Sequence, residues 1–163
     1  MTDSNNKVLE TALQRFAESP LFRGVPESDR RELLALMHEE HYQPGEVLFK
    51  RESRGDSAYL IVSGRVRIFS EDDQGNEFTI RHYGAGSLFG EFSMLDDQPR
   101  SASAAAADPM QLMVLRREDF LKFLNKRPLV GLEMMRSLVE RVRYTTTYLQ
   151  EVTNAANSFA EGD

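Results

Sequence analysis

Phe89-Gly90-Glu91-Phe92-Ser93-Met94-Leu95-Asp96-Asp97-Gln98-Pro99-Arg100-Ser101-Ala102 places a carboxylate, a short apolar turn, an acidic proline-marked loop, a guanidinium and a hydroxyl in sequence. Gly90 permits a backbone angle or a close approach that a side chain forbids. Residues 91–95 suffice for one short helical turn, whose free N–H groups favour an anion. Arg100 adds a forked, permanently charged donor, and Ser101 and the N–H of Phe92 add further donors. Glu91 only accepts hydrogen bonds, so it repels a phosphate and suits a sugar hydroxyl. An anion and a sugar hydroxyl read side by side describe a nucleotide whose phosphate lies close to its ribose. The plainer alternative is that Glu91 and Arg100 pair with each other across the loop.

Upstream of this stretch the hydrophobic period is two. Val47-Leu48-Phe49 follows a turn at Pro44-Gly45, and Ala58-Tyr59-Leu60-Ile61-Val62 reads as a buried strand. Val66, Ile68 and Phe69 precede a polar hairpin tip over residues 71–77, and Phe78, Ile80 and His82 alternate on the return. Downstream, residues 102–107 are nearly all alanine and favour helix on propensity alone. Gln111-Leu112-Met113-Val114-Leu115 is a last strand. Short strands at near-regular spacing predict an antiparallel barrel or jelly roll. The glycines of Gly84-Ala85-Gly86-Ser87-Leu88-Phe89-Gly90 do not make a dinucleotide fingerprint. That motif needs a parallel strand before it and a long helix after it, which Pro99 blocks.

The stretch 89–102 resembles the phosphate-binding cassette of the cyclic nucleotide-binding domain family, in the branches of bacterial catabolite activators and protein kinase A regulatory subunits. Phe89-Gly90-Glu91 and Pro99-Arg100-Ser101-Ala102 carry the resemblance. Residues 55–66 resemble the family's first signature, and Leu21-Phe22-Arg23-Gly24-Val25-Pro26 its leading turn. The resemblance implies the α+β class: an antiparallel β-jelly-roll barrel flanked by N-terminal helices and a long C-terminal helix. It also implies that Glu91 takes the ribose 2′-hydroxyl and Arg100 the cyclic phosphate, and that residues 102–107 form a strand leaving the cassette. The expected organisation is an N-terminal helix over 1–19, the barrel with flanking helices over 20–127, and a long helix with a short acidic tail over 128–163.

At the N-terminus, Asp3 and Ser4 are candidate caps for a helix with Val8, Leu9, Ala12, Leu13 and Phe16 on one face, stopped by Ser19-Pro20. A second helix starts at Pro26 or Ser28 with Leu33, Leu34, Leu36 and Met37 as its apolar face. His38 and His41 stand at helical spacing, where a solvated helix end is the simplest reading and a shared metal the alternative. Residues 116–120 open another helix carrying Phe120, Leu121, Phe123 and Leu124, interrupted or restarted at Arg127-Pro128.

In the final helix, Leu138, Val142, Thr145, Leu149, Val152, Ala156 and Phe159 alternate by four and three. Such a heptad seam asks for a partner helix, although the same face can pack on its own barrel. The family resemblance favours a parallel homodimer. It also implies that Thr145 and Thr146 hydrogen-bond an adenine from this helix. A plain polar run is the alternative for the threonines. Arg141, one turn earlier, reaches Glu91 or the ligand, or is an ordinary surface arginine.

The net charge of −6 argues against a general nucleic-acid binder. Without cysteine there is no disulfide, zinc ribbon or thiolate nucleophile. No nucleophile–base pair, metal cluster or phosphate loop of an enzyme is visible; Glu91 with Asp96 or Asp97 imitates a glycosidase pair only in composition. A cytoplasmic protein is expected, with no membrane or DNA partner. Only seven residues follow Ala156, so a stand-alone sensor without a DNA-binding module is expected. Its ligand would be cyclic AMP or cyclic GMP, with no cofactor or metal, and its output would pass through an unknown effector protein. The competing readings are an interaction module of the same fold that binds no nucleotide, and a sensor of cyclic di-GMP or haem.

Overall fold

A computed structural model describes the backbone of residues 2–160 and the side chains of residues 6–155 and 157. Eight strands form two four-stranded antiparallel sheets. One has the order β1 (His38–Tyr42), β8 (Met110–Arg116), β3 (Ser57–Ser63), β6 (Leu88–Phe89). The other has the order β2 (Val47–Phe49), β7 (Ser103–Ala106), β4 (Arg65–Glu71), β5 (Glu77–Gly84). This is the jelly-roll barrel, and helices cover the outside of the first sheet.

The run Ala58–Val62 is apolar throughout because β3 is buried on both faces. Tyr59 and Ile61 point between the sheets, onto Val66, Phe89, Leu112 and Val114. Ala58, Leu60 and Val62 point outward, under α1 (Thr2–Glu18), α2 (Glu27–Ala35), α4 (Arg117–Lys126) and α5 (Pro128–Ala160). Their partners include Phe16, Phe22, Leu33, Phe120 and Phe123. Residues 103–106 are strand, as the family resemblance implies: pairing with β2 and β4 overrides the helical propensity of alanine.

Several local expectations change. α1 begins at Thr2, so Asp3 and Ser4 lie inside it rather than capping it. Leu9 is exposed, while Ala12, Leu13 and Phe16 further along α1 are buried in the core. α2 ends at Ala35, which leaves Leu36 exposed while Met37 turns in beyond the helix. Leu121 likewise faces outward from α4. His38 and His41 are not helical: they lie on β1, three residues apart and so on opposite faces. His38 Nε2 meets Glu40 Oε1 at 2.8 Å, and His41 Nε2 meets Glu39 Oε1 at 2.6 Å.

α4 stops at Lys126, and α5 restarts with Pro128 in its first turn, where a missing N–H costs little. α5 buries Val130 and Met134 against the body. Past Leu138 it leaves the barrel, and residues 139–155 are exposed. Leu138, the first seam residue, still packs on the core, but beyond it the seam does not pack on its own barrel: Val142 is 65% exposed and Leu149 57%. Met135 is exposed too and extends the apolar stripe one turn earlier than the seam expected, and the exposed Val139 widens it beside Leu138. The seam side chains Ala156 and Phe159 lie outside the described residues. No helix among those residues is long and apolar enough to cross a membrane.

Candidate ligand-binding site

β6 delivers the chain to Gly90, which has φ 74° and caps the six-residue helix α3 (Glu91–Asp96). The left-handed angle is one reason for glycine there; space is the second. A Cβ at residue 90 would stand 2.7 Å from Arg100 Nη1, 3.2 Å from Tyr59 Cδ2 and 3.3 Å from the Ser57 carbonyl oxygen. Asp97, also left-handed at φ 58°, ends α3, and Gln98-Pro99 returns the chain to Arg100.

Arg100 is only 3% exposed. Its Nη1 donates to the Gly90 carbonyl at 2.8 Å and its Nη2 to the Ser57 carbonyl at 2.7 Å. The guanidinium lies 4.1 Å from the Phe49 ring centre and 5.6 Å from that of Tyr59. Its Nε is buried without a hydrogen-bond partner. Burial pulls the guanidinium below the ordinary arginine value, against the opposing influence of Tyr59, Asp56 and Glu91. Arg100 thus does not pair with Glu91 across the loop: carbonyls and aromatic faces hold it. An anion beside it would offset the cost of burying this charge.

Gly90, Glu91, Phe92, Arg100, Ser101 and Arg141 all line one cleft of about 270 Å³, floored by Phe49, Ile68, Phe89 and Ala102. Glu91 and Arg141 therefore share a site although they are fifty residues apart in sequence. Thr145 and Thr146 do not line this cleft. They border a neighbouring groove of about 320 Å³, together with Leu138 and Val142, and Phe92 and Arg141 border both spaces. The threonines stand on the half of α5 that has left the barrel. Their hydroxyls donate to the carbonyls of Arg141 and Val142, each at 2.9 Å.

Two cleft residues, Arg81 and Tyr83, escape the sequence reading. Phe78, Ile80 and His82 alternate in the sequence, which groups them on one face of an unbroken strand. The register instead shifts by one residue: Ile68 pairs with Arg81 and Phe69 with Thr79, leaving Ile80 bulged. Ile80 is accordingly 55% exposed and Phe78 and His82 face solvent, while Arg81 and Tyr83 turn to the cleft. Arg81 stacks 5.5 Å from the Tyr83 ring centre. The signal in the sequence was Tyr83 itself, an aromatic out of phase with the assumed face.

Burial pushes the Glu91 carboxyl above the ordinary range, and its own backbone N–H, Arg141 and Arg100 pull it partly back. A carboxyl raised by folding binds its proton more tightly in the native chain. It therefore subtracts stability as pH rises through the raised value, and the penalty is complete above it. Glu91→Gln is expected to melt higher than wild type at about pH 7, with the gap closing below the ordinary glutamate value of about 4.3. Scanning calorimetry across this range checks the sign; a lower melting point at neutral pH would contradict it.

A model of the cyclic nucleotide-binding domain matches residues 39–127. The chain is 38% identical over 125 residues to the cyclic AMP receptor protein of Thermus thermophilus, covering 77% of this chain and 58% of that protein. It is 30% identical to a cAMP-dependent protein kinase regulatory subunit of Emericella nidulans, covering 72% of this chain and 29% of that subunit. The crystal structure of the N-terminal domain of a transcriptional regulator from Streptomyces coelicolor A3(2) superposes with a TM-score of 0.76 at 30% identity. That match covers 83% of this chain and 94% of that domain. The chain thus spans 58% of the length of the Thermus protein.

Proposed function

The chain belongs to the cyclic nucleotide-binding domain family, and from that premise we propose that it is a non-enzymatic sensor of a cyclic mononucleotide, cyclic AMP first. The observation that carries this reading is Arg100, a buried guanidinium with an unpartnered Nε beside a cleft that also presents Glu91. Arg100, Ser101 and the N–H groups of residues 90–92 take the cyclic phosphate. Glu91 accepts from the ribose 2′-hydroxyl, and Phe49, Ile68 and Tyr83 cover the sugar and base. Arg141 balances the charge of Glu91 from α5. Thr145 and Thr146 reach the base only when α5 swings toward the cleft, and their hydroxyls then exchange backbone carbonyls for the base. Binding therefore biases α5 between two placements, and an effector protein reads the difference.

A second reading, cyclic GMP, is favoured by Arg81. An arginine at the cleft can donate in parallel to O6 and N7 of guanine, a pairing adenine does not accept. Thermal unfolding with cyclic AMP, cyclic GMP, cyclic di-GMP and adenosine 5′-monophosphate separates the readings. A ligand at a hundred times its Kd stabilises by roughly 2.7 kcal/mol. One cyclic mononucleotide is expected to raise the melting temperature well beyond the open-chain monophosphate. A flat response to all four would mark an interaction module that has kept the fold without the ligand.

The exposed stripe of α5 is proposed to pair with a second copy in a parallel homodimer. Val142→Glu with Leu149→Glu is then expected to convert a dimer to a monomer in sedimentation equilibrium. A monomeric wild type at about 100 μM would contradict this, since association that weak falls outside ordinary dimer affinities.

A further inference from the structure

α3 is six residues long, too short to be stable by itself, so its position depends on what grips its two ends. Gly90 and Arg100 grip the first end. At the other end Arg117, the first residue of α4, donates Nε to the Met94 carbonyl at 2.9 Å. The same Nε stands 3.7 Å from the Asp97 carboxylate. The backbone N–H of Arg117 donates to the Asp56 carbonyl at 2.8 Å. The next residue, Ser57, supplies the carbonyl that holds Arg100 Nη2. Arg117 is therefore the point at which α3, the start of β3 and the α4–α5 arm meet. Its neighbour Arg116 meets the start of β3 only through the backbone, where it pairs with Ser57, and its side chain is exposed.

We infer that Arg117 is a positioning residue for the cleft: its guanidinium clamps the rear of α3, sets the height of the Glu91 end against Arg100, and ties α3 to the arm that continues into α5. Its side chain does not line the cleft, so it acts through α3 and not on the ligand. The effect on affinity rests on the cyclic-nucleotide reading; the clamp itself does not.

Hydrogen–deuterium exchange on the ligand-free chain tests the clamp without any nucleotide. In Arg117→Gln, the amides of α3 are expected to exchange about tenfold faster, the loss of one charge-assisted bond, while β3 and β8 keep their protection. Arg117→Lys, which retains a point charge, should recover part of it, and Arg116→Gln should change nothing. Unchanged exchange in α3, or loss of protection in every element together, overturns the inference. Should Arg117→Gln not fold, the same comparison is read from Arg117→Lys. With the nucleotide that wild type binds, Arg117→Gln should dissociate about tenfold faster. A loosened α3 with unchanged dissociation would overturn the positioning role. A wild type that binds none of the cyclic nucleotides would overturn the functional reading while the exchange result still decides the clamp.

Discussion

Arg100→Ala is expected to lower the affinity for the proposed cyclic nucleotide by about a hundredfold or more. Two charge-assisted bonds of roughly 1.5–3 kcal/mol each set that scale. No other cationic side chain lining the cleft is buried as Arg100 is: Arg81 and Arg141 are exposed. Neither can replace a guanidinium held between two carbonyls and the Phe49 ring. Part of any loss will come from the protein itself, because the Gly90 and Ser57 carbonyls lose their donor and a void opens over Phe49. Arg100→Lys separates the two effects. It keeps a positive charge and most of the volume but cannot donate to both carbonyls and still present a fork to a phosphate. It is expected to fold and to bind at least about tenfold more weakly. Calorimetric titration of both variants reads the affinities, and urea unfolding reads the stability. Arg100→Ala that folds and binds as wild type does would remove Arg100 from the site.

Gly55→Ala is expected to destabilise the chain by about 3 kcal/mol, the upper part of the range for overpacking. A Cβ at residue 55 would lie 2.0 Å from Ser93 Cβ, 2.7 Å from Ser93 Oγ and 3.2 Å from the Gln98 carbonyl oxygen. Neither the compact Ser93 side chain nor backbone can yield that distance, so α3 or the loop before β3 must move. Because Ser93 sits in α3 between Glu91 and the Met94 carbonyl, the displacement also disorders the cleft. Removing the opposing side chain should relieve the clash. The double variant Gly55→Ala, Ser93→Gly is expected to regain part of the lost stability, a coupling that chemical denaturation measures directly. Strictly additive effects would show that the contact between residues 55 and 93 is not where the strain lies.

That Gly90, Glu91 and Arg100 come together at one cleft was legible because the stretch is local. Gly90, Glu91 and Arg100 stand within ten residues, and a glycine, an acceptor-only side chain and a fork of donors at that spacing have few joint uses. β3 was legible for a related reason: burial on both faces leaves an unbroken apolar run. What escaped depended on distant partners. β1 carries His38-Glu39-Glu40-His41, which has no apolar alternation, and is a strand because β8 offers it an edge. Arg81 reaches the cleft through a bulge fixed by pairing with β4, which the periodicity of β5 alone does not reveal. The distance of Thr145 and Thr146 from the cleft is set by the direction α5 takes from its restart at Pro128, which carries it off the body past Leu138. That angle has no local signature. The clamp at Arg117 was hidden for the same reason, since its acceptor, the Met94 carbonyl, carries no side-chain signal.

The central claim is that the cleft between Glu91 and Arg100 takes a cyclic mononucleotide. Isothermal titration of nucleotide-free protein with cyclic AMP, and in parallel with cyclic GMP, tests it most directly. The expected result is one site per chain with a Kd of about a micromolar or tighter for one of the two, about −8 kcal/mol of binding free energy. Heats indistinguishable from dilution for both nucleotides, at concentrations approaching a millimolar, would contradict it.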